Sequence, residues 1–221
     1  MKVWIFVEGR SDVQALSALL NDWKQKLSEK GWGIQLISLE NKSKYFRKIG
    51  SRATEKLVHD TRDIVVGLPD LYPNRDYADT EYKHDNLEEL RDVQTRLVKQ
   101  NLQQEVRLAD VDSHIARFYA SALKHDLEVL LLAATSQLQS RLKMSNKPSG
   151  WRRPPEEQNQ DRPPKRIVEE LFQRELKRSY RENTDSDAIL RKADLREVAE
   201  QCPTFRTMID WIGRKTGVPG Y

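Results

Sequence analysis

The chain opens on a run that is apolar at every position. Val3, Trp4, Ile5, Phe6 and Val7 are β-branched or aromatic, where a half-buried strand would alternate with polar residues. This predicts a strand covered on both faces, in the middle of a parallel sheet. Gly9 then permits a sharp turn, Ser11 or Asp12 can accept the first N–H groups of a helix, and Val13, Leu16, Leu19 and Leu20 recur at helical spacing. That helix is expected to run on through Lys24, Lys26, Glu29 and Lys30. Further strands are predicted over 34–39, over 63–68 (DIVVGL) and over 115–123 (IARFYASAL). Between them lie a helix carrying Tyr45, Phe46, Ile49 and Leu57, a polar helix over 87–102, and a largely buried helix over 125–134. Beyond residue 164 only helical patterns remain, over 165–180, 187–200 and 204–212. The expected fold is α/β, a mostly parallel sheet flanked by helices with a helical C-terminal portion. It divides into a core over 1–145, a loop or lid over 146–164 rich in proline and arginine, and the helical portion over 165–221.

Charge changes this picture little in total and more in its distribution. Of 221 residues 33% are charged, yet the net charge is only +4. Residues Lys42, Lys44, Arg47, Lys48 and Arg52 give one helix a basic side, which reads as a solvated face or, secondarily, as a phosphate contact. The single cysteine, Cys202, rules out an internal disulfide framework and a cysteine-based zinc site. No apolar run is long enough to span a bilayer, and Lys2 leads directly into the first strand, so a cytoplasmic protein without a membrane partner is expected. A Gly-x-x-x-x-Gly-Lys loop is absent, which argues against P-loop hydrolysis of nucleotides.

Four acids carry the candidate chemistry. Glu8 follows the first strand, at the carboxyl edge where open α/β sheets bind ligands, and Asp12 lies about one helical turn on. Asp70 follows the third strand between Pro69 and Pro73. Glu128 is an acid amid Leu127, Val129, Leu130 and Leu131. Each also has a plain structural reading: Asp12 as a helix cap, Asp70 as a turn residue, Glu128 as half of an ion pair. Taken together they are an oxygen donor set suited to Mg²⁺ or Mn²⁺, which takes one or two carboxylates with water and phosphate oxygens. Lys165 or Arg166 would neutralise charge developing on phosphorus. Arg152 and Arg153 beside Trp151, with Arg10 and Arg166, are the candidates for gripping DNA or RNA.

The strand followed by V-E-G-x-x-D resembles the opening motif of the Toprim domain, shared by topoisomerases, bacterial primases and OLD-family nucleases. The ordered segments VEGRSD, VVGLPDLYP, HDLEVLLLA, PPKRI with Tyr180, CPTF and WI resemble, over nearly the whole chain, a family of small bacterial Toprim-like proteins related to OLD nucleases. The resemblance implies a metal-dependent nuclease that acts as effector of a defence system with an ABC-type ATPase partner. It also implies that Glu8 is metal ligand or general acid/base, that Asp12, Asp70 and Glu128 are metal ligands, and that Lys165 is catalytic. His125 leads the His-x-x-Glu segment. One departure stands out: Tyr72 occupies the place of the second aspartate of an Asp-x-Asp pair. Asp76 or Glu128 would have to replace that ligand in a two-metal site, and a catalytically inactive subunit that binds nucleic acid or an ATPase is the alternative.

Overall fold

A computed structural model describes residues 1–74 and 77–221; Asp76 therefore lies outside the described residues. Four strands among them form one parallel sheet in the order β2-β1-β3-β4, with β1 at Lys2–Val7, β2 at Gly33–Ser38, β3 at Ile64–Leu68 and β4 at Phe118–Ala120. The opening run is central, with Val7 paired to Ser38 on one side and Leu68 on the other. Alternation explains why such a strand needs no polar residues. Val3, Ile5 and Val7 enter one core, and Phe6 enters the other.

Two helices, α3 (Lys42–His59) and α4 (Leu87–Glu105), cover the Phe6 face, and α5 (Val111–Ile115) adjoins them. The opposite face carries α1 (Arg10–Leu19), α2 (Asn21–Glu29), α6 (Glu128–Ala133), α7 (Thr135–Leu142), α8 (Pro164–Leu176), α9 (Glu182–Leu190), α10 (Leu195–Gln201) and α11 (Pro203–Thr216). Phe172, Ile189, Phe205 and Met208 from the last of these share one buried core with Ile5, Val7 and Leu131. This is the expected α/β class with its parallel sheet flanked by helices. No helix among the described residues is long and apolar enough to cross a membrane.

Several boundaries differ from the pattern of the sequence, each for a local reason. The apolar stretch over 115–123 is not one strand: Ile115 ends α5, and only Phe118–Ala120 pair with Val65, Val66 and Gly67. The amides of Ala116 and Arg117 close that helix by donating to the carbonyls of Asp112 and His114, and the Arg117 side chain anchors the junction by donating to the carbonyls of Leu57, Asp60 and Asp63. The helix expected over 125–134 begins only at Glu128, after a tight turn in which the amides of Val129 and Leu130 donate to the carbonyls of Asp126 and Leu127. The first helix is divided at Leu20, and the helix expected over 165–180 stops at Leu176, with Lys177 left-handed at φ 54°. The stretch over 187–200 is likewise two helices. Asp194 starts the second by accepting from the amides of Arg196 and Glu197.

Close approach fixes one glycine. A Cβ on Gly67 would lie 2.1 Å from Gln94 Oε1 and 2.6 Å from the Tyr45 hydroxyl. Gln94 accepts from Tyr45 at 2.7 Å and donates to the Ser121 carbonyl at 2.9 Å, locking α3 and α4 to the sheet near its carboxyl edge.

The segment over 146–164 is tied to the C-terminal helices by Glu156, which is 3% exposed. Its carboxylate accepts from the amide of Thr204 at 2.9 Å and from that of Phe205 at 3.3 Å, at the start of α11. Glu156→Ala would leave those amides buried and unpaired, costing about 2 kcal/mol. A urea unfolding midpoint equal to that of the parent chain would contradict this role.

Candidate functional site

The carboxyl edge of the sheet is built around the peptide group of Asp70. Pairing of β3 with β4 continues past the strands, where Leu123 donates to the Pro69 carbonyl at 2.9 Å and Leu71 donates to the Leu123 carbonyl at 2.8 Å. Asp70 is thereby held beside the end of β1. Its amide donates to Glu8 Oε1 at 3.1 Å, and its carbonyl accepts from Lys42 Nζ, at the start of α3, at 2.7 Å. Glu8 and Asp70, 62 positions apart in the chain, meet directly.

Asp12 comes to the same place from α1. Its Oδ2 accepts from the Gly9 amide at 2.8 Å, so the helix-cap reading of this residue is correct as far as one oxygen is concerned. Electrostatically it faces both Glu8 and Glu182, and so joins two halves of one acidic cluster. The second half consists of Asp126, Glu128 and Glu182 around Lys165. Asp126 Oδ2 accepts from the Lys165 amide at 3.2 Å, and Lys165 Nζ donates to Glu182 Oε2 at 2.6 Å. Glu128 is 1% exposed. Asp126 Oδ1, Glu128 Oε1 and the Tyr180 hydroxyl are buried and make no hydrogen bond of ordinary geometry.

Burial dominates the ionisation of these groups. It pushes Glu8 up to about 7, with Asp12 adding to the shift and Lys42 opposing it. Burial raises Asp12 to about 6 against the hydrogen bond from Gly9, and raises Asp126 to about 6 against Lys165. It raises Glu128 to about 8, helped by Asp126. Asp70 is driven well above the carboxylate range by burial and then by Glu8, Asp12 and Asp126. Glu182 is the exception. Burial raises it, but hydrogen bonds from Lys165 and Ser11 outweigh that and hold it below its usual value.

All donors here are oxygens, the preference of a hard divalent cation. Among the described residues no three acidic, histidine or cysteine side chains lie close enough to hold one ion as they stand. Mg²⁺ does not require three: one or two carboxylates with water and phosphate oxygens suffice, and Glu8 with Asp70 or Asp12 fits that description.

The remaining candidates are spread more widely. Tyr72 leans on His125, ring centroids 5.5 Å apart, beside Asp70 and Asp126 in sequence. Arg10 is exposed at the start of α1, and Arg166 is exposed on α8 with an ion pair to Glu170 at 3.2 Å. Arg152 and Arg153 are exposed on the 146–164 segment; Arg152 bonds within it, to Gln158 and the Glu157 carbonyl. Trp151 packs against the buried core, so its ring is only partly presented to solvent. Pattern reading passed over Lys42, Asp126 and Glu182. Lys42 was submerged in a run of basic residues. Asp126 did carry a signal, since it stands two residues before Glu128. Glu182 had none.

Structural comparison relates this chain to two others. It is similar to the C-terminal region of the OLD protein of Burkholderia pseudomallei at 14% identity and a TM-score of 0.51, covering 97% of this chain and 98% of that one. It is also similar to the C-terminal region of the OLD protein of Xanthomonas campestris pv. campestris at 12% identity and a TM-score of 0.38, covering 96% and 97%. The first likeness shows a common fold. Among curated proteins none matches by sequence. The family model described as "Domain of unknown function (DUF4276)" matches residues 7–213, a span containing all six carboxylates of the cluster, and the chain belongs to that family.

Proposed function

We propose that the protein is a metal-dependent phosphodiesterase that cleaves DNA or RNA at the acidic edge of its sheet. The observation that carries this reading is the meeting of Glu8 and Asp70, with Asp12 beside them, flanked by Lys42 and Lys165. Carboxylates whose affinity for protons is raised by burial and then by one another, with ammonium groups on either side, suit a cation and a phosphate bound together. The fold shared with the OLD C-terminal region supports the same class.

Glu8, Asp12 and Asp70 would hold Mg²⁺ or Mn²⁺. When bound, such an ion supplies Lewis-acid charge at the phosphoryl oxygens and acidifies a water molecule. Glu8 would also relay a proton from the attacking water. Lys165, by exchanging Glu182 for a phosphoryl oxygen, would offset the charge that develops on phosphorus. Arg10 and Arg166, exposed next to Gly9 and Lys165, would hold flanking phosphates. An ATPase partner and a role in defence against phage belong to the same proposal.

The test is cleavage of single- and double-stranded DNA and RNA by the purified chain with Mn²⁺ or Mg²⁺. Chelation is expected to remove all cleavage, and added Mn²⁺ to restore it. Tyr72 favours a second reading, a catalytically inactive subunit that binds nucleic acid or an ATPase. Retention of labelled DNA or RNA without cleavage under every condition, with the ATPase and ATP present, would select it.

A further inference from the structure

We propose that the ammonium group of Lys165 is the second cation of this site, so that the protein takes up one divalent ion, on the Glu8–Asp12–Asp70 side, and not two. This rests on the phosphodiesterase reading and deepens it.

The cluster is divided in its charge balance. On one side Glu8 and Asp70 meet at a peptide group, with both residues retaining some contact with solvent. On the other side three carboxylates surround one ammonium group. Lys165 Nζ binds Glu182 Oε2 at 2.6 Å, and Glu182, Glu128 and Asp126 are the acids that act on it electrostatically. Glu128 is buried and Asp126 partly so, each with a buried oxygen that makes no hydrogen bond of ordinary geometry; the two carboxyl groups and the Tyr180 hydroxyl interact with one another, and the cationic side chain acting on both acids is Lys165. A buried carboxylate needs a cation or hydrogen-bond donors to offset its desolvation, and this half of the site supplies the cation from within.

Lys165 is also fixed in place. Pro163 and the buried Pro164 set the first turn of α8, and the Lys165 amide is held by Asp126. Its ammonium group is therefore constrained at both ends, by its own backbone and by Glu182. The Lys165 side chain is 44% exposed and that of Glu182 35%, yet Glu128 beside them is buried, and a divalent ion entering among these acids would meet a like charge at short range. Among the described residues, the position two after Asp70 offers no carboxylate. Tyr72, two residues on, packs against His125, and phenol is a poor ligand for Mg²⁺ at neutral pH.

Titration of the full chain with Mn²⁺ into the millimolar range, without substrate, tests this by electron paramagnetic resonance and calorimetry. One Mn²⁺ per chain is expected for the parent protein and for Lys165→Arg, and two for Lys165→Met. Lys165→Gln, which keeps a donor for Glu182, is expected to gain the second ion as well. It serves where the methionine variant fails the circular-dichroism check for folding. Two ions in the parent chain, or one in a folded Lys165→Met or Lys165→Gln protein, overturns the inference and leaves the phosphodiesterase reading standing. No ion in the parent chain removes that reading instead.

Discussion

Glu8→Gln is expected to lower Mn²⁺-dependent cleavage by on the order of a thousand-fold or more, equivalent to several kcal/mol of lost transition-state stabilisation, while the chain stays folded. The substitution keeps the shape of the side chain and an oxygen able to accept from the Asp70 amide, so the link between β1 and the end of β3 persists. What it removes is the charge that would hold the cation and the basicity that would receive a proton. It also removes a repulsive group. With its carboxyl raised from 4.5 to about 7 by burial and by Asp12, Glu8 carries a cost of ionisation of roughly 3 kcal/mol. The metal-free variant at pH 8 is therefore expected to melt at a temperature equal to or above that of the metal-free parent. Undiminished cleavage would remove Glu8 from the mechanism. A much lower melting temperature would mean that Glu8 supports the fold, and its catalytic role would then be judged from Asp12→Asn.

The sheet was legible because its central strands are buried on both faces and so consist of consecutive apolar residues. Val3 to Val7 and Ile64 to Leu68 admit few other readings. Glu8 and Asp70 were legible for a related reason: a polar residue ending such a run falls at the edge of the sheet by construction. The boundaries that failed depend on long-range bonds. Nothing local announces that Arg117 will reach the carbonyls of Leu57, Asp60 and Asp63 and anchor the junction between a short helix and the fourth strand. The start of α10 was readable, since Asp194 and Glu197 have the spacing of a capping pair, but the apolar periodicity on either side masked it. The Lys165 half of the site was partly legible. Glu128 stood out as an acid among leucines, whereas Glu182 enters only because α9 packs against α1 and brings it beside Ser11.

Binding of Mn²⁺ is expected to release protons and to strengthen steeply as pH rises from 6 to 8. Glu8 titrates at about 7, Asp12 at about 6, and Asp70 well above its ordinary range, all raised first by burial. At pH 6 Glu8 largely holds its proton and Asp12 is about half protonated, and an incoming cation must displace these protons. At pH 8 Glu8 and Asp12 are ionised in advance, and less of the binding free energy is spent on deprotonation. Stability runs the other way. The folded state binds these protons more tightly than the unfolded chain, so between about pH 4.5 and 8 the native state holds more protons and stability falls as pH rises. The metal-free protein should thus melt at a lower temperature at pH 8 than at pH 5.5, and saturating Mn²⁺ should raise the melting temperature more at pH 8 than at pH 6. Calorimetry in two buffers of different ionisation enthalpy gives the proton count directly, and Glu8→Gln should reduce it. A pH-independent affinity with no proton release would mean that the cation is held by groups already ionised at pH 6, and the Glu8–Asp12–Asp70 edge would lose its assigned role.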